Sequence, residues 1–197
     1  MVLSHKYFDG KVLKGSEFNE TDNAVFEELK KYPGLIEQSL GNYRFREALA
    51  HFMNAARLGN KYLADEEPWK VFKTDEERVK TVLNVATQIV ANLAILGQPF
   101  LPKTSTTLFE MLDLPQQNWD NAGKADLIAT DKQLGEVQML FDKITDAEVE
   151  AQLQKLAESK ASNALANTTV APAKPNISFD DFMKMDIRIG TILEAEK

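Results

Sequence analysis

The chain has 197 residues and a formal net charge of -7, from 30 acidic and 23 basic side chains. It contains no cysteine, which excludes disulfide scaffolds, cysteine nucleophiles and thiolate metal sites. The two histidines are far apart in the sequence, so we do not expect a zinc site made of protein ligands. The acidic balance argues against a protein that grips nucleic acid by bulk positive charge.

The chain shows no signal for secretion or for a membrane. Its first residues lack the basic segment and long apolar run of a secretory signal. The longest mostly apolar stretch, residues 79–101, is interrupted by polar side chains, and we interpret it as too polar to span a bilayer. We therefore expect a cytoplasmic protein with no membrane partner.

Two short helices and one long helix are predicted in the first third of the chain. Asp22 precedes an amphipathic stretch that Pro33 and Gly34 break and that resumes until Gly41. A long helix follows from Asn42, its predicted cap, to about residue 65. Its apolar residues recur three, four or seven positions apart and predict a buried face made of Phe45, Leu49, Phe52, Ala56 and Leu63.

The most apolar helix lies in the middle of the chain. Thr74 and Glu77 have the spacing of a capping box with Thr74 as the N-cap, and Gly97 ends the helical pattern. The apolar stripe of this helix is wide, which predicts a central place in a helical bundle. A shorter helix is predicted to begin at Pro102, because proline is favoured in a first turn.

The helical pattern then stops and later resumes. Residues 114–142 show no sustained helical period, and residues 127–129 and 136–138 are predicted as short strands. Thr145 and Glu148 have the spacing of another capping box, which predicts a last helix.

The end of the chain has a different composition. Residues 159–176 are small, polar or proline and predict a linker. Ser178 then begins one helical turn, and alternating apolar residues over 187–193 predict one strand. One turn and one strand cannot fold alone, so we expect a chain cut inside a second, β-rich domain and also cut at its uncapped start. The predicted organisation is an all-α helical domain (1–158), the linker, and a truncated β domain (177–197).

Patterns typical of an enzyme are absent from the sequence. There is no glycine-rich phosphate loop and no Gly-x-Ser-x-Gly elbow. The carboxylates cluster at turns and helix starts, where we interpret them as caps and as complements of the helix dipole. We therefore predict no catalytic residue, no metal ligand and no cofactor site in this chain.

Trp69 is the residue with the sharpest functional interpretation. It follows Pro68 at the junction between two predicted long helices, and Glu67 before the proline is expected to form a corner. The indole ring could pack into the helix junction. It could instead be an exposed platform for a nucleic-acid base, held in place because proline restricts the backbone beside it.

Five segments of the chain resemble methionyl-tRNA synthetases. Residues 60–70 (NKYLADEEPWK) resemble the segment between two helices of that family's anticodon-binding domain. Residues 5–12, 99–104 and 140–144 are similar to the end of its first helix, a later helix junction and its tail. Residues 182–193 (FMKMDIRIGTIL) resemble the opening of the OB-fold tRNA-binding domain that some of these synthetases append.

The resemblance implies a helical bundle of the class I synthetase type that reads the CAU anticodon of methionine tRNA. The family's stacking tryptophan corresponds to Trp69, and its Asn and Arg anticodon readers would fall upstream of Met1. Pro68 supports the stacking residue, and Asn60 is a weaker candidate for hydrogen bonds to base edges. Arg188 corresponds to a phosphate contact of the OB-fold domain.

The resemblance also implies what the rest of such an enzyme supplies. The two catalytic signatures of class I synthetases are absent from this sequence, so ATP would bind to a catalytic domain in the same polypeptide, for which zinc is a further candidate ligand. A complete OB-fold domain could also make the enzyme a homodimer. The competing hypothesis is a helical protein-interaction module without nucleic-acid binding, and it predicts that Trp69 is buried in an acidic surround.

Overall fold

The structure is a computed structural model that describes residues 1–166, 174–186, 188–191 and 194. It divides into two units, an N-terminal unit (Met1–Asp142) and a C-terminal unit (Lys143–Lys197). The elements in chain order are α1 (Val2–Phe8), β1 (Lys11–Val12), α2 (Glu20–Leu29), α3 (Tyr32–Gly41), α4 (Phe45–Glu66), α5 (Pro68–Val71), α6 (Glu76–Leu96), α7 (Pro102–Met111), a short 3-10 helix (Trp119–Asn121), β2 (Lys132–Gln133), α8 (Asp146–Ala166) and α9 (Phe179–Met183). The prediction of an all-α helical fold is confirmed.

The central helix of the N-terminal unit is α6, as its wide apolar stripe predicted. More than half of its 21 residues are buried, and they contribute to all three apolar clusters of the core. The interpretation of this stretch as too polar for a bilayer is wrong by composition: in the described part of the chain, α6 alone has the length and composition of a membrane span. However, 72% of its most apolar window is buried inside the protein. Its apolar character is therefore used to form the core of the bundle.

The predicted break at Pro33 and Gly34 is wrong by three residues. The helices α2 and α3 are separated at Lys30 and Lys31, and Pro33 lies inside the first turn of α3. Proline is tolerated there because the first N–H groups of a helix have no partner within the helix. Gly34 also lies in this first turn, so it does not end a helix.

Two predicted helix caps are also corrected. The amphipathic helix expected after Asp22 begins earlier, with Asn19 as the N-cap of α2 and Asp22 as the reciprocal residue of its capping box. Asp75, and not Thr74, caps α6 by accepting a hydrogen bond from the Arg78 N–H. The side-chain amide of Asn42 donates to the Gln38 carbonyl at the end of α3, so it does not cap α4.

The buried face of α4 differs from the predicted one. Phe52 is buried as predicted, but Phe45 and Leu49 are 61% and 43% exposed. The buried residues of this helix are Ala48, Phe52, Ala55, Gly59 and Tyr62. A Cβ added to Gly59 would lie 3.0 Å from Cγ2 of Ile89, so the small residues allow α6 to approach closely.

One short antiparallel pairing joins Lys11–Val12 to Lys132–Gln133, which lies in the segment without a helical period (residues 114–142). The strands predicted at 127–129 and 136–138 do not form. Ile128 is buried, but the side chain of Gln88 satisfies its backbone. The Gln88 amide donates to the Ile128 carbonyl at 2.8 Å and accepts from the Ile128 N–H at 3.0 Å. An amide from α6 therefore replaces the partner strand.

The C-terminal unit begins with the predicted capping box of α8. The Thr145 N–H donates to Glu148, and the Glu148 N–H donates to the Thr145 hydroxyl. The helix continues to Ala166, into the segment predicted as a linker, where Lys160 and three alanines favour helix. Ser178 caps α9 as expected. The predicted strand lies partly outside the described residues, at 187, 192 and 193, while 188–191 are described without strand structure.

Candidate nucleic-acid interface

The corner at Pro68 and Trp69 is a defined backbone feature. Helix α4 ends at Glu66, and Glu67 adopts a left-handed conformation with φ of 41°. The expected corner at Glu67 is therefore present, although the residue before the proline enters the left-handed region and not the extended one. Pro68 is buried and begins α5, and the Glu67 carbonyl accepts hydrogen bonds from the Lys70 and Val71 N–H groups at 2.8 and 3.1 Å.

The indole of Trp69 projects from this corner with 47% of its surface exposed. It is not the buried plug that the competing hypothesis required. Trp119 provides the contrast, because it packs against two of the apolar clusters of the core. The chain therefore holds one structural tryptophan and one whose ring is available to a ligand.

An aromatic cluster joins α1 to the end of the corner. The ring of Phe72, three residues after Trp69, stacks on Tyr7 with centroids 4.1 Å apart and planes 10° apart. Phe8 meets the same ring edge-on at 5.9 Å, and the Lys80 ammonium lies 5.9 Å from the centroid of Phe8. Through these contacts the end of α1 is held beside the segment that carries Trp69.

A buried ionic network lies behind the corner. The Arg78 guanidinium donates to both carboxylate oxygens of Asp22, at 2.5 and 2.9 Å, and it contacts Glu66 at 2.7 Å. The hydroxyl of Tyr62 donates to Asp22 at 2.5 Å. The side chain of Asp22 has no exposed surface, and those of Arg78 and Glu66 are only 15% and 17% exposed.

This network shifts the pKa values of its members. Burial alone would raise the pKa of Asp22, but hydrogen bonds from Arg78, Tyr62 and the Asn19 backbone, together with the charge of Arg78, hold it below its usual range. Burial and the hydrogen bond to Asp22 raise the pKa of Tyr62. The hydrogen bond to Asp22 raises the pKa of Arg78 further, against the effect of its burial. Asp22 and Arg78 therefore remain charged at neutral pH.

The charges nearest the corner in sequence are mixed. Lys70 pairs with Glu67 at 2.6 Å, and Lys61 pairs with Asp65. Lys6 and Lys73 are exposed and have no ion-pair partner among the described residues. Charges of both signs therefore adjoin Trp69 in the sequence.

The other predicted site residues lie on different elements. Asn60 is exposed on α4, six residues before the end of that helix. Arg188 is exposed in the C-terminal unit, where its guanidinium pairs with Asp186 at 2.5 Å. Pro68 and Trp69 are adjacent at the corner, as the sequence dictates. The roles of these four residues stay predictions.

Sequence reasoning missed Asp22, Tyr62 and Arg78 as partners. Asp22 was interpreted only as a helix start, and Arg78 is one of several charged residues in the first turns of α6. Tyr62 lies on the apolar side of α4 and resembles an ordinary core residue. Tyr62 and Arg78 lie 40 and 56 residues after Asp22 in the chain, so no local sequence pattern predicts these contacts.

The comparisons with known proteins identify the family. The family model described as the anticodon binding domain of methionyl tRNA ligase matches residues 12–161, which is more than half of the chain. A methionine–tRNA ligase of Cytophaga hutchinsonii is 53% identical over 197 residues, and one of Bacteroides fragilis is 48% identical over the same length. Both alignments cover 100% of this chain but only 29% of the relative.

A solved structure supports the fold. The apo form of Mycobacterium tuberculosis methionyl-tRNA synthetase matches with a TM-score of 0.65 and 21% identity, over 73% of this chain and 30% of that one. The helical bundle around α6 is thus the fold of a synthetase segment. From the family match and these relatives, we conclude that the chain belongs to the anticodon-binding domain family of methionyl-tRNA ligases.

Proposed function

We propose that this chain is the tRNA-binding part of a methionine–tRNA ligase and that it recognises the CAU anticodon of methionine tRNA. The observation that carries the proposal is the half-exposed Trp69 on a corner whose backbone is set by Pro68. Anticodon bases are unpaired and can be splayed from the loop, so an aromatic ring can stack on one of them. Asn60 is the weaker candidate for hydrogen bonds to a base edge or sugar.

The net charge of -7 is compatible with this proposal. Recognition of a few loop bases by stacking and edge contacts requires a defined site more than a basic surface. Lys6, beside the Tyr7 stack, and Lys73, after Phe72, are cations that could contact phosphates of the loop. The body of the tRNA would be held by other parts of the enzyme.

The remaining functions of the ligase would belong to other parts of the polypeptide. The chain spans 29% of the relatives it matches, and we propose that a catalytic domain outside these residues binds ATP and methionine. Arg188 would contribute a phosphate contact in a complete OB-fold domain, through which the enzyme could dimerise. The proposed location is the cytoplasm, where aminoacylation serves translation.

The test is a titration of the chain with fluorescein-labelled stem-loops that carry CAU or a scrambled anticodon. We expect tighter binding of the CAU loop, followed by fluorescence anisotropy. Trp69→Ala should weaken this binding by roughly 5- to 150-fold, since stacking on an aromatic ring contributes about 1–3 kcal/mol per base. Tyr43→Ala is the matched control, because Tyr43 is also an exposed aromatic residue, on the connection between α3 and α4.

Two results would contradict the proposal. Equal and negligible binding of both loops would show that this chain does not recognise the anticodon. Equal losses from Trp69→Ala and Tyr43→Ala would show that Trp69 is not the stacking residue. In either case the family membership would stand, because it rests on the matches and not on binding.

One observation favours the second candidate, a helical protein-interaction module. Phe45, Leu49 and Met53 are four residues apart on α4 and are 61%, 43% and 41% exposed. An exposed apolar stripe of this kind is typical of surfaces that bind another protein. This candidate predicts negligible binding of both stem-loops, so the same titration separates it from anticodon recognition.

A further inference from the structure

Arg78 connects the two ends of the segment that carries Trp69. Its Nε and Nη2 atoms contact a carboxylate oxygen of Glu66 at 3.1 and 2.7 Å. Glu66 is the last residue of α4, and Arg78 lies in the first turn of α6, 12 residues later. The contact therefore closes the chain between the two long helices, and Trp69 lies within the closed segment.

Asp22 anchors this clamp to a third helix. It lies in the first turn of α2, it is fully buried, and it accepts hydrogen bonds from two nitrogens of Arg78. Tyr62, one turn before Glu66 on α4, donates to the same carboxylate. Because α2, α4 and α6 meet at one guanidinium, the end of α4 has a defined position relative to α2 and α6.

The position of Glu66 at the end of a helix indicates that its carboxylate serves to bind Arg78. Glu66 and Glu67 end α4, where the helix dipole disfavours negative side chains. Glu67 has a solvent-exposed partner in Lys70, whereas Glu66 is mostly buried and is paired with Arg78. The planar guanidinium binds two carboxylates in directions that its rigid fork fixes, whereas the donors of a lysine ammonium rotate.

We propose that Arg78, through Glu66, is a positioning residue that holds Trp69 ready to stack on an anticodon base. The inference rests on the proposed function of Trp69. Preorganisation of a ligand-binding side chain increases affinity because less conformational freedom is lost on binding. Asp22 and Tyr62 hold Arg78 in place, and Glu66 transmits that order to the corner.

The test uses the full 197-residue chain in a Trp119→Phe background, so that Trp69 is the only tryptophan. Glu66→Ala removes the clamp but leaves Arg78 paired with the buried Asp22, whereas Arg78→Ala would leave Asp22 unpaired and could unfold the protein. Glu47→Ala is the matched control: it also removes an ion pair of α4, the one with Arg44, at the opposite end of that helix from the corner.

Three measurements are made on each variant: the anisotropy of Trp69 fluorescence, the affinity for the CAU stem-loop, and the thermal unfolding midpoint. We expect Glu66→Ala to lower the anisotropy and to weaken binding by roughly 3- to 10-fold, within the range of couplings between contacting residues. Glu47→Ala should leave both unchanged. In a Trp69→Ala background, Glu66→Ala should have no further effect on affinity, because it acts through Trp69.

Each alternative outcome overturns the inference. An unchanged Trp69 anisotropy in Glu66→Ala would show that the clamp does not position the ring, whatever happens to the unfolding midpoint. Equal weakening by Glu66→Ala in the presence and absence of Trp69 would show a route that does not use this side chain. If the unsubstituted chain fails to bind the stem-loop, the proposed function fails, and the anisotropy alone decides whether the clamp orders Trp69.

Discussion

The two tryptophans show how position in the fold separates residues of one type. Trp119 fills space between apolar clusters, whereas Trp69 stands half-exposed on a corner that Pro68 and the left-handed Glu67 define. The exposure of each ring is set by its neighbours in the sequence and by the helices that meet around it. Behind the corner, the buried carboxylate of Asp22 holds Arg78.

The charge of Asp22 makes stability depend on pH. Its folded-state pKa is lowered, so its contribution is complete above the unfolded value of about 3.9 and is lost as pH falls through the lower folded value. We expect Asp22→Asn to reduce the free energy of unfolding by about 3 kcal/mol at pH 7. The difference from wild type should shrink below about pH 4.

Urea unfolding of both proteins from pH 7 to pH 3 measures this difference. The wild type should lose stability with acidification more steeply than Asp22→Asn in the acid range. A difference that stays constant down to pH 3 would mean that the folded and unfolded pKa values of Asp22 are equal.

At the scale of elements, the sequence predicted which helices form but did not predict all their caps and buried faces. The apolar periods predicted α2, α3, α4, α6 and α7, and the Thr145 box predicted α8. The cap of α6 differs from the predicted one because several polar residues adjoin its start and the backbone selects one of them. The buried face of α4 turned toward its small residues because contact with α6 requires close approach at Gly59.

The corrected cap of α6 can be tested with two neighbouring substitutions. Asp75→Ala removes the acceptor for the Arg78 N–H, so we expect a loss of about 1 kcal/mol in the free energy of unfolding. Thr74→Ala removes only an exposed hydroxyl that donates to the Val71 carbonyl, and it should change that energy by less than about 0.5 kcal/mol. Urea unfolding of both variants measures the two losses of free energy. A larger loss from Thr74→Ala would show that Thr74 is the cap, as the sequence predicted.

At the scale of the whole molecule, the core lies within one unit. All three apolar clusters consist of residues from Met1–Asp142. Every described side chain of Lys143–Lys197 is exposed, including the apolar face of α8 that bears Val149, Leu153 and Leu156. The predicted division at residue 158 and the linker after it stay predictions, and α8 runs across that position.

This distribution predicts that residues 1–142 fold on their own. A chain that ends at Asp142 should unfold in one cooperative transition, with a free energy of unfolding within about 0.5 kcal/mol of the same transition in the full chain. Far-UV circular dichroism during urea unfolding measures it. A non-cooperative transition, or a loss of several kcal/mol, would show that the C-terminal unit contributes to the core.

The sequence by itself determined the helical class, the central place of α6, the corner at Glu67 and the resemblance that led to the family. These features depend on neighbouring residues: a period of apolar side chains, a proline, a capping box, a characteristic segment. Tertiary structure alone decided the exposure of Trp69, the face that α4 buries, the pairing of Ile128 with Gln88, and the network of Asp22 and Arg78. Each of these depends on contact between residues far apart in the chain, which only the packing of helices creates.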